Sequence, residues 1–230
     1  MCGRYVLTTP SDELVEFFGV DHSVVEPAEP RFNVAPTQLV PAVACESDGT
    51  TRRLEQFRWG LVPPWAESPA VGNRMINARA ETLMSSRAYR DAFVKRRCLL
   101  PADGFYEWQR PEGGGRAPRL PWYFAPREGP LLALAGLCER WRHPEGAWLL
   151  TCTVITTRAN SLMAPVHERM PVLLAPEDFS RWLERRPLTP AEQAALLAPA
   201  PEDFLTARRV PSDVSNVKND GPQLLAEVAG

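Results

Sequence analysis

The chain has 230 residues, 44% of them apolar and 23% charged, the balance of a folded globular protein and not of a disordered or fibrous one. Its formal net charge of −2 excludes a global basic field, so any nucleic-acid site has to be a local groove. Of the 26 basic residues only Lys95 and Lys218 are lysines, and 24 prolines predict many short elements joined by turns.

Thr9, Pro10, Ser11, Asp12 and Glu13 predict the opening of a first helix. Threonine is the cap, proline occupies the first turn, and Leu14, Phe17 and Phe18 form the apolar face up to Gly19. Alternating residues predict strands over 39–45 and 54–62, then a helix over 81–93. Strands follow over 97–100 and 104–109, with the glycines at 113–115 in a loop that returns the chain to a strand at 122–124. The strongest pair is 131–141 with 148–156, turned at His143-Pro144-Glu145-Gly146. A short strand at 171–174, a helix at 176–184 and a capping box at Thr189 and Glu192 complete the pattern. With no repeat or low-complexity linker, residues 1–230 predict one α+β domain with a curled, largely antiparallel, barrel-like sheet and peripheral helices.

No apolar run reaches the roughly 20 residues of a membrane span, and Met1-Cys2-Gly3-Arg4 is unlike a secretion leader, so a cytoplasmic, membrane-free monomer is expected. Five cysteines, none in a C-x-x-C pair, argue against a disulfide framework or a zinc site; neither metal nor cofactor is expected. Pro165-Val166-His167-Glu168-Arg169-Met170-Pro171 begins like a zinc-protease helix, but proline occupies the second histidine position.

Removal of Met1 would leave Cys2 with a free amine, titrating near ~7.7–8.0, beside a thiol near ~8.5. Such a group is either a nucleophile that uses its own amine as base or an aldehyde trap, forming a Schiff base that the thiol closes to a thiazolidine. Position 2 alone leaves both open, along with an unreactive cysteine. Glu107, between aromatics in Gly104-Phe105-Tyr106-Glu107-Trp108, is either an acid/base group or a solvent-facing strand residue. Trp59, Pro64 and Trp65 near Arg58, Arg74 and Arg79 suit stacked bases and phosphates, or else a core with solvated arginines.

Met1-Cys2-Gly3-Arg4, Arg58-Trp59-Gly60-Leu61-Val62-Pro63-Pro64-Trp65, Asn77-Ala78-Arg79-Ala80-Glu81-Thr82, the run from Arg97 through Trp108, Ala135-Gly136-Leu137 and the His167 segment occur in that order. Together they resemble the SRAP family (SOS-response-associated peptidase), whose members crosslink to abasic sites in single-stranded DNA. The resemblance covers nearly the whole chain. It implies that Cys2 bonds to the sugar aldehyde, Asn77 holds Cys2 and the sugar, Glu107 acts as acid/base, and His167 shuttles protons. It also implies that Arg4, Arg79 and Arg169 grip phosphates and that Trp65, Pro41 and Met84 stack on or wedge between bases. The expected partner is single-stranded DNA containing abasic sites. The alternatives are a thiol autopeptidase or N-terminal-nucleophile amidohydrolase using Cys2, and a non-catalytic single-strand binding module, which would need no Cys2, Glu107 and His167 set.

Overall fold

The computed structural model describes residues 2–111 and 118–228; Met1 and the glycines at 113–115 lie outside the described residues. The first half of the chain forms β1 (Arg4–Leu7), α1 (Ser11–Phe18), β2 (His22–Ser23), β3 (Arg31–Val34), β4 (Leu39–Cys45), β5 (Arg52–Trp59), β6 (Asn77–Arg79) and α2 (Arg90–Lys95). The second half forms β7 (Arg97–Ala102), β8 (Gly104–Gln109), β9 (Leu120–Pro126), β10 (Leu132–Arg142), β11 (Trp148–Arg158), β12 (Arg169–Pro171), β13 (Leu173–Leu174), α3 (Phe179–Leu183), α4 (Pro190–Leu196) and β14 (Leu205–Arg209).

Five of these strands close into a barrel. β5, β4, β7, β10 and β11 are antiparallel neighbours in that order, and β11 returns to β5 through a parallel contact at Thr151↔Arg58 and Cys152↔Trp59. Closure pairs strands that would otherwise present open edges. Val43, Leu54, Trp59, Leu99, Leu134 and Val154 are all buried in the core. Gly136 on β10 is where this packing is tightest. A Cβ there would lie 2.3 Å from Leu100 Cδ1 and 2.9 Å from the Thr153 oxygen.

A second sheet, in the order β14-β9-β8-β1-β3, packs beside the barrel. The chain steps from one to the other at Asp103, between β7 and β8. The Asp103 carboxylate accepts bonds from the Thr8 amide at 2.6 Å and the Thr9 hydroxyl at 2.7 Å. A side chain on Gly104 would lie 2.4 Å from the Tyr123 ring, so the step needs glycine. Arg97, only 3% exposed, donates to the Trp182 and Phe93 carbonyls at 2.5 and 2.6 Å and also to Glu184, joining the ends of α2 and α3.

The barrel-like α+β expectation therefore stands, and so do the strong β10–β11 pair and the Thr189–Glu192 capping box. Four local expectations change. The helix over 81–93 is reduced to a 3-10 turn, Ala80–Thr82, and to α2. Thr82 and Ser85 turn their hydroxyls onto the Arg79 and Thr82 carbonyls, which competes with helical bonding. Pro10, not Thr9, caps α1, because the Thr9 hydroxyl is committed to Asp103. β5 stops at Trp59, since Gly60 adopts φ 132° and its missing Cβ lets the Gly72 carbonyl approach. The strand at 171–174 is two pieces, β12 on β11 and β13 on β10. Among the described residues no helix is long and apolar enough to cross a membrane.

Candidate functional site

Cys2 lies two residues before the start of β1 and is fully buried. β1 pairs with β8 at Arg4↔Tyr106 and Tyr5↔Phe105, so one further step of the register brings Glu107 across from Gly3, beside Cys2. Glu107 is 4% exposed. On the other flank β6 runs parallel to β11, with Val154↔Asn77 and Thr156↔Arg79. Asn77 Nδ2 donates to the Cys2 carbonyl at 2.9 Å. Asn77 is itself braced, since the Tyr89 hydroxyl donates to its carbonyl at 3.2 Å and Trp59 Nε1 donates to the preceding Ile76 carbonyl at 2.9 Å. Asn77 Oδ1 is buried with no hydrogen-bond partner among the described residues.

Burial, and then the negative charge of Glu107, push the Cys2 thiol up from its ordinary 9.0 to about 12. The sulfur is therefore held as a neutral thiol near pH 7. A chemistry that begins with a free thiolate is disfavoured here, whereas one in which a neighbouring amine reacts first is not.

His167 arrives from a turn that folds back on itself, with its amide donating to Met163 at 3.0 Å. Gln109 Nε2, at the end of β8, donates to the Pro165 carbonyl at 3.2 Å and so ties this turn to the Glu107 strand. The Arg169 amide donates to His167 Nδ1 at 2.9 Å. Nδ1 is thus an acceptor, which places the proton of the neutral ring on Nε2 and fixes the ring's direction.

The three arginines differ. Arg4 donates to Asn33 Oδ1 at 2.8 Å and the Val214 carbonyl at 2.9 Å, with its guanidinium 5.9 Å from the Trp108 ring centre. A cavity of about 550 Å³, lined in part by Gly3, Arg4, Trp108 and Arg119, opens there. Arg79 is exposed at the end of β6. Arg169 has a side chain only 12% exposed and is clasped by Glu81, at 2.7 and 2.9 Å, and by the Thr156 carbonyl at 2.5 Å.

The expected base-stacking residues separate as well. Trp65 is 50% exposed, with the Arg87 guanidinium 4.7 Å from its ring centre, and Met84 is 48% exposed. Trp59 belongs to the core. Pro41 is buried inside β4, opposite Gln56, and presents no face on which a base stacks. A proline in a strand-rich region reads the same from sequence whether it lines the surface or the sheet. Glu81 and Thr156 were missed. Glu81 stands within the Asn77 motif, but only the fold brings it to Arg169 across 88 residues.

The fold and site together define a class of small closed-barrel proteins that hold a buried cysteine, just ahead of the first strand, between a buried carboxylate and an amide. The chain belongs to the SOS response associated peptidase (SRAP) family, whose family model matches residues 1–217. It is 41% identical to the abasic site processing protein YoqW of Bacillus subtilis (strain 168), over 98% of this chain and 99% of that protein. It is 39% identical to YoaM of the same organism, also named an abasic site processing protein, over 98% of this chain and 97% of that one. A crystal structure of a protein from Bacteroides thetaiotaomicron shares the fold, with a TM-score of 0.86 at 24% identity, covering 99% of this chain and all of that one.

Proposed function

We propose that this protein processes abasic sites in single-stranded DNA, capturing the ring-opened sugar covalently through Cys2 after removal of Met1. The observation that carries this reading is the placement of Cys2 between Asn77, bonded to its carbonyl at 2.9 Å, and Glu107, whose charge acts on its thiol. The names of the relatives point the same way.

The free amine of Cys2 attacks the C1′ aldehyde and, with loss of water, forms a Schiff base. The thiol then adds across the C=N bond, its sulfur joining C1′ and its proton passing to nitrogen, to give a thiazolidine. One water leaves overall and nothing is oxidised or reduced. Ring closure removes the Schiff base, the species from which β-elimination would cut the strand, so the product shields the site. A thiol held neutral by burial suits this amine-first order. Asn77 positions Cys2 and offers its spare Oδ1 to the substrate. Glu107 and His167 carry protons in sugar opening and in imine formation. Arg79 and Arg4 meet flanking phosphates, and Trp65 and Met84 offer exposed surfaces to unpaired bases.

The family description names a peptidase, and the second reading is accordingly a thiol autopeptidase or N-terminal-nucleophile amidohydrolase that uses Cys2. One experiment separates the two. The purified protein, with Met1 removal verified by intact mass, is mixed with a single-stranded oligonucleotide carrying one abasic site and analysed on a denaturing gel after heating. A heat-stable adduct is expected, absent with intact DNA, absent in Cys2→Ala and absent when residues are added before Cys2. A stable adduct that survives Cys2→Ala overturns the proposal.

A further inference from the structure

Arg169 meets its expected role with both hands occupied. Its Nη1 and Nη2 donate to Glu81 Oε1 and Oε2 at 2.7 and 2.9 Å, and Nη2 also donates to the Thr156 carbonyl at 2.5 Å. A carboxylate in this forked arrangement presents two oxygens to guanidinium much as a phosphate does. The remaining nitrogen, Nε, is buried. Three of the five N–H donors of Arg169 are taken by Glu81 and Thr156 and Nε is buried, so the forked edge of the guanidinium is closed to a phosphate while Glu81 is in place.

Glu81 is built to leave. Its side chain is 53% exposed, and it belongs to a three-residue 3-10 turn, Ala80–Thr82, and not to a strand. The pair has the strong forked geometry, but its carboxylate end is half exposed, where water, salt and a strand phosphate can compete for it. Arg169, by contrast, is fixed: its backbone lies in β12 against β11, and its amide holds His167. Arg79, exposed two residues before Glu81, also acts on this carboxylate, whose acidity is strengthened first by the bond from Arg169. Glu81 therefore lies under the influence of two cations, the setting that would also suit a phosphate.

Resting on the reading of the Cys2 site above, we infer that Glu81 is an internal phosphate mimic that competes with DNA for Arg169 and so weakens binding to intact strands. A strand held at the Cys2 site by other contacts displaces Glu81; one passing by does not. Glu81 would then set specificity without touching the reacting atoms.

The test is the affinity of Glu81→Gln for an intact, fluorescently labelled oligothymidine, measured by anisotropy over a salt series. The inference expects binding about 3–10-fold tighter than wild type at low salt and a salt slope steeper by ~0.7, one more phosphate contact on a single strand. It also expects the gain to vanish in Glu81→Gln combined with Arg169→Gln. Weaker or unchanged binding by Glu81→Gln overturns it, since Glu81 would then be a brace that holds Arg169 ready. A gain that persists without Arg169 overturns it too, because a general loss of negative charge would be the cause. The readout uses intact DNA and so does not depend on the covalent step. If the wild type forms no adduct with abasic DNA, the Cys2 reading fails while this measurement still decides the role of Glu81.

Discussion

Asn77 Nδ2 reaches the Cys2 carbonyl at 2.9 Å, tying a three-residue strand on the barrel wall to the head of β1 across 75 residues of sequence. The bond restricts where the Cys2 amine and thiol point. Asn77→Ala removes the tether and the spare amide oxygen together. Misplacing a reacting group by about 1 Å costs on the order of 10²-fold in rate, so adduct formation by this variant is expected to slow by about 10- to 100-fold. Single-turnover gels with abasic oligonucleotide measure this, and a wild-type rate would remove Asn77 from the site.

The burial that holds the Cys2 thiol protonated has a signature in pH. Folded, the thiol titrates at about 12; its ordinary value is 9.0. The folded state thus binds the extra proton between those values. The stability this lends is whole below pH 9, and it declines as pH rises toward 12. Cys98 and Cys152 are raised by burial as well and add to the same decline. Urea midpoints should therefore fall between pH 8.5 and 10.5. At pH 8, iodoacetamide should label Cys2 far more slowly in the native protein than in urea, as peptide mass mapping will show. Equal rates would mean that the thiol is not shielded.

Glu107 and His167 are expected to separate by step. An abasic sugar is mostly a closed hemiacetal, and positioned acid/base groups are worth about 10²–10⁴-fold in such proton transfers. Glu107→Gln should slow capture most on the natural, ring-closed substrate. His167→Ala should slow capture less, because proximity still delivers the amine to the aldehyde. Comparing natural abasic DNA with a strand bearing a permanently open aldehyde checks this. If Glu107→Gln is equally slow on both, its role lies after ring opening.

Gly136 carries a prediction about the scaffold alone. A methyl group there meets Leu100 Cδ1 at 2.3 Å, the Thr153 oxygen at 2.9 Å and Cys98 Sγ at 3.0 Å. Leu100 has some freedom to move and the Thr153 backbone has little. Gly136→Ala should cost about 1–3 kcal/mol, read as a lowered urea midpoint, while the Cys2 site keeps its chemistry. No loss of stability would mean that β10 and β11 separate more easily than their packing implies.

Much of the barrel was legible in the sequence, because alternation over β10 and β11 and the Thr189–Glu192 box are local signals that the fold leaves unopposed. The residues of the site were legible as motifs, and Cys2, Asn77 and Glu107 do come together. Pro41, outside every quoted motif, shows where that legibility stops, since its place in the sequence does not say whether the fold covers it.

What the sequence determined by itself is the set of elements with strong short-range preferences and the kinds of chemistry on offer. Tertiary structure alone decided the rest. Asp103, 94 residues away, takes the Thr9 hydroxyl from the cap of α1. The parallel contact of β11 with β5 closes the barrel between residues more than ninety positions apart. The same closure sets β6 and β12 against β11, and so delivers Glu81 to Arg169. Such pairings depend on which strands meet once the core has packed, and nothing in the neighbouring residues encodes them, because the free energy that selects them comes from burial shared across the whole barrel.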